Sequence, residues 1–435
     1  MQGRAGRMRP PVAVQADRAG LFGRDLLVDI LLAVMLFACF GSVVGFYSKI
    51  NALREAPGWA LLVYIPPILW AVAMAASAVH RSLRTALVGG PMLLLVLWAT
   101  ASFQWSHQPD LSLRQGILFC CTYLVACVIA QMISWDRLGR VLVMVFGFQA
   151  VVSAALAVLK PEWGVMSEIY PGAWSGLWNF KQSFGLAMSM GYAVLLGWAL
   201  AKPRRLIPAL PLLGLFVVCV IQSEATTALM TSAVATCVVA AIWVAQRHPA
   251  LAVFSLWGVV VGITAGVLVF TVLAPVIFAL VGKAPTLTGR TDIWEALEGA
   301  IAARPLLGWG YQAFWTDASL SSPVGAVELA MDGFRPPDAH STPMDLHLQL
   351  GPVGLALGAL ILLRGWWHVL WLAPHMRGML VAAPFLAVWT STCFTESIGL
   401  YPMDFMGLVG QVVVIKLALS VVEEAESRRG SVEMV

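Results

Sequence analysis

Charge is scarce in this sequence: 11% of its 435 residues are Asp, Glu, Lys or Arg, against 60% hydrophobic. That scarcity excludes a soluble domain of ordinary size, because no polar block is long enough to form one. A disulfide framework is also missing. The seven cysteines (Cys39, Cys120, Cys121, Cys127, Cys219, Cys237 and Cys393) all fall within or at the edge of apolar runs, with no CxxC spacing. They read as small core residues, not as thiolate metal ligands. Gly308-x-Gly310 lacks the third glycine and the strand-turn-helix setting of a dinucleotide site. The outer carboxylates include no Asp-x-Asp pair that could carry Mg²⁺ on a pyrophosphate. Of the two smaller outer segments, 160–182 and 222–227, neither shows an internal repeat or low complexity.

What is there is a succession of apolar runs of membrane-spanning length. They predict an all-α, polytopic membrane protein with twelve transmembrane helices at residues 26–47, 58–79, 86–103, 114–133, 139–159, 183–201, 205–222, 226–245, 251–281, 347–371, 378–396 and 403–422. The Arg-rich residues 1–25 form a tail. The first apolar run is full span length with no small-residue cleavage site after it, so it reads as an uncleaved helix. Trp and Tyr crowd the span ends, as an interfacial belt requires.

Basic residues orient the chain. With the N-terminus inside, seventeen Lys and Arg are assigned to the inner side and nine to the outer, with Lys416 left in the last span. That bias places both termini in the cytoplasm and residues 282–346, the one long polar loop, on the opposite face, away from ATP and nucleotide sugars. The expected organisation is a tail (1–25), helices 1–9 (26–281), the outer loop (282–346), helices 10–12 (347–422) and a solvated acidic tail (423–435).

The loop holds the residues that can do chemistry. Residues 292–303 have helical spacing, with Ile293, Leu297, Ala300 and Ile301 on one face and Asp292, Glu295 and Glu298 on another. This predicts an interfacial helix ending before Pro305. Arg290 stands just ahead of it, where a cation opposes the helix dipole and an anion is welcome. Either Arg290 pairs with Asp292 or Glu295, or Thr288, the free amides and Arg290 together hold a phosphate. Arg114, Lys181 and Arg304 are further basic residues of the same outer face, each able to bind phosphate or simply to reach the interface. His340 ends the loop and could serve as a general base, and nearby cations would favour its neutral form. His347 lies seven residues on. Metal ligation by His340, Asp345 and His347 has no compact motif behind it.

Taken together, LTGRTDIW at 287–294, RPLLGWGYQAFW at 304–315, HSTPMDL at 340–346 and LGPVG at 350–354 resemble the O-antigen ligase and polymerase superfamily of polytopic glycosyltransferases, closest to the exopolysaccharide polymerases. Gly176 to Gly185 resembles the family's glycine-Lys-Asn-glycine segment, and Ser112-Leu113-Arg114 its basic entry to the fourth span. The chain departs from the family at Ser341 and Gln182, where asparagine is usual, and at Glu224, where many members are basic.

The resemblance implies a metal-independent, cofactor-free, inverting transfer of a glycan from undecaprenyl pyrophosphate to an acceptor sugar hydroxyl at the periplasmic face of the bacterial inner membrane. Arg290 would hold the pyrophosphate and His340 would activate the acceptor. Arg114, Lys181, Arg304, Thr288 and Tyr311 would contact substrate. The expected partners are the lipid-linked donor, a glycan or lipid A-core acceptor, the bilayer and other polysaccharide assembly proteins, with no nucleic acid. Polymerase is favoured. An O-antigen ligase acting on lipid A-core is the alternative in the same class, and a secondary transporter is the alternative outside it.

Overall fold

In the computed structural model, the described residues are 25–40, 43–51, 59–168, 170–254, 257, 258, 290–316, 319 and 321–432. The expected ninth span (251–281), Thr288 and nearly all of the N-terminal tail lie essentially outside them. Among the described residues the chain is helical without strands, and one isolated antiparallel bridge joins Val165 to Trp174. The all-α polytopic expectation is borne out.

Among the described residues eight helices are long and apolar enough to cross a membrane: α1 (Asp25–Ile50), α5 (Pro109–Met132), α6 (Trp135–Leu159), α7 (Lys181–Ala201), α8 (Leu206–Gln222, entered through a 3-10 turn), α9 (Thr226–Arg247), α12 (Thr342–Leu372) and α14 (Phe405–Val432). α2 (Ala60–Ser77) and α3 (Val79–Val88) meet at a bend of 111°, counted from Leu62. α4 (Pro91–Ala101) and α13 (Met379–Cys393) are shorter and apolar. In the loop lie α10 (Arg290–Ala303) and α11 (Pro323–Ala330).

The spans sort by how they meet their surroundings. α7 and α13 are apolar all round and sit in the middle of the bundle, as such helices must. α8 instead exposes Ile207, Leu210, Val217, Val218 and Ile221, a lipid-facing stripe.

The two ends of the bundle differ in chemistry. At one end Asp136 meets Lys202 at 2.9 Å and Arg205 at 2.6 Å, while buried Asp29 meets Arg137 at 2.8 Å and Arg140 at 3.3 Å. His375 and Arg428 both pair with Glu424, and Arg84 with Glu426. Residues 423–432, the expected tail, continue α14 as a mostly exposed helix, and Glu424 and Glu426 each have a basic partner there. Lys416, buried in the same helix, donates to the Ala130 carbonyl at 3.1 Å.

At the other end the loop residues form a small body with its own core of Ile293, Leu297, Phe314, Val324, Val327, Ala339 and Leu348. The apolar face of α10 is therefore spent on protein, with Ile293 and Leu297 buried. The expectation that it lies on lipid is corrected: a partner face within the loop removes the apolar stripe from the membrane.

A break in α12 seats this body on the bundle. Pro352 has no N–H to offer the Leu348 carbonyl, and Gly351 takes a left-handed conformation (φ +66°) that ends the regular ladder. The orphaned carbonyls of Leu348 and Gln349 accept the N–H groups of Trp309 (3.0 Å) and Gly310 (2.9 Å), and the Leu350 carbonyl accepts Trp98 Nε1 at 3.0 Å. A side chain at 308 would collide with the Gln349 backbone, and one at 351 with the Leu306 carbonyl. Both glycines of this crossing are required by close approach and positive φ.

Candidate active site

Three chain segments converge at this end: the start of α10, the 338–342 turn before α12, and the 394–404 connection between α13 and α14. Arg290 is the first residue of α10 and points its guanidinium at Glu396, Nη2 to Oε1 at 2.6 Å. His340 sits in a left-handed turn (φ +47°) and places Nδ1 2.9 Å from the other oxygen, Oε2, of the same carboxylate. Glu396 thus stands between the two residues singled out for chemistry. Arg290 and Glu396 are largely buried, each 15% exposed, and the His340 side chain is 30% exposed, so the imidazole is the member open to solvent.

The turn is held from its own side as well. The His340 N–H donates to Asp338 Oδ1 at 2.7 Å, and Trp294 Nε1 donates to the Ala339 carbonyl at 2.9 Å. The 394–404 segment is clipped to the start of α12 by Thr342, whose Oγ1 accepts the Ile398 N–H at 3.0 Å and approaches the Glu396 carbonyl at 3.1 Å.

Electrostatics here differ from the sequence expectation. His340 is held above its ordinary pKa, first by the hydrogen bond to Glu396. Burial lowers it, the Asp338 and Glu396 charges raise it, and Arg290 lowers it without prevailing. The expected push toward the neutral ring by clustered cations is corrected, because the carboxylate stands between the cation and the imidazole. Burial pushes the Asp338 carboxyl up, against the pull of His340. A carboxylate acceptor fixes the neutral ring with its proton on Nδ1, leaving the Nε2 lone pair to accept a proton.

The other expected site residues are placed as follows. Tyr311 is fully buried, with its ring stacked on Phe119 at 5.2 Å and its hydroxyl donating to the Leu400 carbonyl. Its N–H donates to Ser102 Oγ and its carbonyl accepts Ser112 Oγ, both at 2.9 Å. Nothing of Tyr311 is left for a ligand, so the expected substrate contact is corrected to a framing contact. Its aromatic bulk fills the space between the loop and α5. Arg304 donates to the Trp105 carbonyl at 2.9 Å and lies over the Trp309 ring at 4.5 Å, which commits it to the crossing.

Lys181 is buried at the start of α7. Its Nζ stands 3.8 Å above the Tyr170 ring and 3.3 Å from the Glu224 carbonyl. Lys49, which sequence reasoning passed over, reaches the same region with bonds to Ser175 Oγ (2.9 Å), the Gly176 carbonyl (3.1 Å) and the Trp178 carbonyl (2.7 Å). Arg114 is exposed on the first turns of α5, two residues past Ser112. Arg290 and His340 are the expected residues that share a partner. Lys181 and Arg304 have contacts elsewhere at this end, and Arg114 is exposed.

Glu396 is the residue that sequence reasoning missed. It ends a run assigned to the eleventh span and belongs to no motif. The available signal was an acidic residue, followed by Ser397, at the outer end of a span.

The fold and this constellation define a class: a polytopic membrane protein that assembles a cation, an imidazole and a carboxylate at one end of its bundle. Residues 210–359 match the family described as O-Antigen ligase. Over 275 residues the chain is 25% identical to the exopolysaccharide production protein ExoQ of Rhizobium meliloti (strain 1021), a match spanning 61% of this chain and 62% of the relative's length. The resemblance to the O-antigen ligase superfamily, near its exopolysaccharide members, is thereby borne out. The matched family segment contains Arg290 and His340, whereas Glu396 lies beyond its end.

Proposed function

We propose that this protein is a polysaccharide polymerase of the inner membrane that transfers a growing glycan from undecaprenyl pyrophosphate to the hydroxyl of an acceptor sugar. The observation that carries the proposal is Glu396 held between Arg290 and His340, an anion-binding cation beside an oriented base.

The chemistry follows from the parts. A sugar hydroxyl ionises far too weakly to attack alone, so its proton must leave as the bond forms. His340 Nε2 takes that proton while Glu396 holds Nδ1–H and stabilises the imidazolium. The hydroxyl oxygen bonds to the anomeric carbon from the face opposite the pyrophosphate. The carbon–oxygen bond to the pyrophosphate breaks with its electron pair on oxygen, and configuration inverts.

Arg290 takes up the charge of the leaving group, with a planar fork suited to two phosphate oxygens. In the free protein Glu396 Oε1 occupies that fork, so a pyrophosphate must displace one carboxylate oxygen and leave the other on His340. The reading assigns no role to a metal, since the outer carboxylates include no Asp-x-Asp pair to carry one on a pyrophosphate. The leaving group supplies the driving force on a face without nucleotides.

The proposed orientation puts this end at the periplasmic face, with the ion-paired end in the cytoplasm. The basic asymmetry of the sequence and the similarity to an exopolysaccharide production protein both favour the reading. Gene deletion followed by analysis of lipid-linked and surface glycan tests it. Loss of polymer with single lipid-linked units remaining is expected. Intact polymer left on its carrier would make the protein a ligase, and an unchanged glycan profile would refute both.

A further inference from the structure

Behind the Arg290–Glu396–His340 group lies a second carboxylate that the proposed chemistry does not use. Asp345, in the first turn of α12, is 1% exposed, and its carboxylate accepts four hydrogen bonds. Oδ1 accepts Trp315 Nε1 at 2.7 Å and Gln349 Nε2 at 3.4 Å. Oδ2 accepts the Ala339 N–H at 3.3 Å and the Ser397 hydroxyl. No Lys, Arg or His lies within ion-pair distance of it among the described residues. Burying a carboxylate without a counter-ion is costly, so the donors that surround it must each be in place.

The identity of two of those donors gives the arrangement its meaning. Ala339 is the residue before His340, and Ser397 is the residue after Glu396. One carboxylate oxygen therefore ties together the two backbone segments that carry the base and its orienting partner. Ser397 Oγ also accepts the Ser341 N–H at 3.1 Å, which closes the link on the other side of His340. The held turn is one that the chain would not adopt unaided, since His340 has φ +47° and a non-glycine residue there costs about 1 kcal/mol or more.

We propose that Asp345 is a positioning residue of the active site, acting through Ala339 and Ser397 to fix the distance and angle between Glu396 and His340. The proposal rests on the reading of His340 as the base. It assigns Asp345 no contact with substrate and no proton of the reaction.

The consequence is specific. An amide at 345 turns one acceptor into an NH₂ group. If that group faces Oδ2's partners, it meets the Ala339 N–H, which can only donate. If it faces Oδ1's partners, it meets Trp315 Nε1, which also can only donate. Either way one donor loses its acceptor: in the first case the link between the 339–341 turn and the 396–398 strap is broken directly, and in the second the side chain that makes it is no longer held by Trp315. His340 then loses the hydrogen bond that chiefly raises its pKa, while Asp338 and Arg290, the other charged groups facing it, remain. Tyr401, on the 394–404 segment, is the other titratable group near the two aspartates, and burial raises its own pKa.

The test uses the full-length protein in nanodiscs with lipid-linked donor. Asp345→Asn should lower kcat by about 10²-fold, the scale of a misplacement near 1 Å. The acid limb of its pH–rate profile should move to lower pH, and the KM for donor should change little. ¹⁵N-histidine spectra should report the same downward move of the His340 titration. Ser397→Ala removes one link and leaves the carboxylate in place, so it should shift the limb in the same direction by less, and it serves if the Asn variant does not fold. A wild-type limb in a folded Asp345→Asn or Ser397→Ala protein overturns the proposal. Glu396→Gln separates the two readings. If it moves the limb and the Asp345 and Ser397 variants do not, positioning alone fails. If it leaves the limb in place, the reading of His340 as base fails first.

Discussion

Glu396→Gln is the substitution that asks most of this site. Glutamine keeps the length and shape of the side chain and removes only its charge. Its NH₂ group can face His340, in which case Nδ1 must become the acceptor and the ring proton moves to Nε2, where the base is needed. A wrong tautomer of this kind costs on the order of 10⁴ in kcat where an aspartate–histidine pair has been altered this way, and loss of a general base costs about 10²–10⁴. The expected loss is therefore about 3–5 kcal/mol of barrier.

Three readouts should move apart. With a carboxylate no longer competing for its fork, Arg290 should bind donor as well as or better than in the wild type. The wild-type acid limb should lie above about 6.5, because Glu396 raises His340 and only the neutral ring accepts a proton. In the variant that limb should fall. Stability carries its own sign. A folded-state pKa above the unfolded value means that the pair's contribution is complete below about 6.5 and is lost as pH rises through the folded value. The difference in unfolding midpoint between wild type and variant should therefore narrow as pH rises, leaving the part that belongs to the Arg290–Glu396 pair. Initial rates across pH in nanodiscs, donor binding and unfolding midpoints across pH, each measured separately, give the three. A variant with wild-type kcat and an unmoved limb would refute the reasoning.

Further outcomes can be checked on the same footing. Arg290→Ala should abolish turnover and donor binding, and Arg290→Lys should retain a small fraction because the planar fork is gone; equal activity of Lys and wild type would reduce Arg290 to a point charge. His340→Ala should lose turnover by about 10²–10⁴ yet keep donor binding, with His347→Ala much milder; loss of binding with an unchanged pH profile would make His340 a phosphate ligand. Ser321→Cys in the loop should react with an impermeant thiol reagent in intact inner-membrane preparations with the periplasmic face outward, and labelling only after membrane rupture would invert the proposed topology. Gly351→Ala should lower the thermal midpoint, because its φ of +66° costs about 1–3 kcal/mol for alanine and the added methyl meets the Leu306 carbonyl.

How much of this was legible in the chain varies with the range of the interaction. Helix content and the run of apolar segments are local properties, so spacing and composition report them directly. The start of α10 near Asp292 and its buried Ile293 and Leu297 are legible for the same reason. What covers that face is a tertiary fact. The pattern that fits an interfacial helix fits equally a helix packed on Phe314, Val324 and Val327, and spacing does not distinguish lipid from protein. Tyr311 shows the same limit. A tyrosine in a polar glycine-flanked turn reads as a ligand contact until Ser102, Ser112 and Leu400 are seen to use its polar atoms.

Glu396 shows why the site was only half legible. Arg290 and His340 are recognisable because each stands in a polar run with a motif around it. Their common partner is 106 residues from one and 56 from the other, at the end of an apolar run. Physics nevertheless requires something of its kind. An arginine at 15% exposure, aimed into protein at a helix start that disfavours cations, needs an anion nearby whenever substrate is absent. An imidazole that must serve as a base needs a partner to choose its tautomer. One carboxylate with two oxygens meets both needs in the free protein, and a bound pyrophosphate would take over only the first. Donor binding would then free Oε1 from Arg290 while Oε2 stays on His340, so the base stays oriented at the stage when the leaving group's charge arrives.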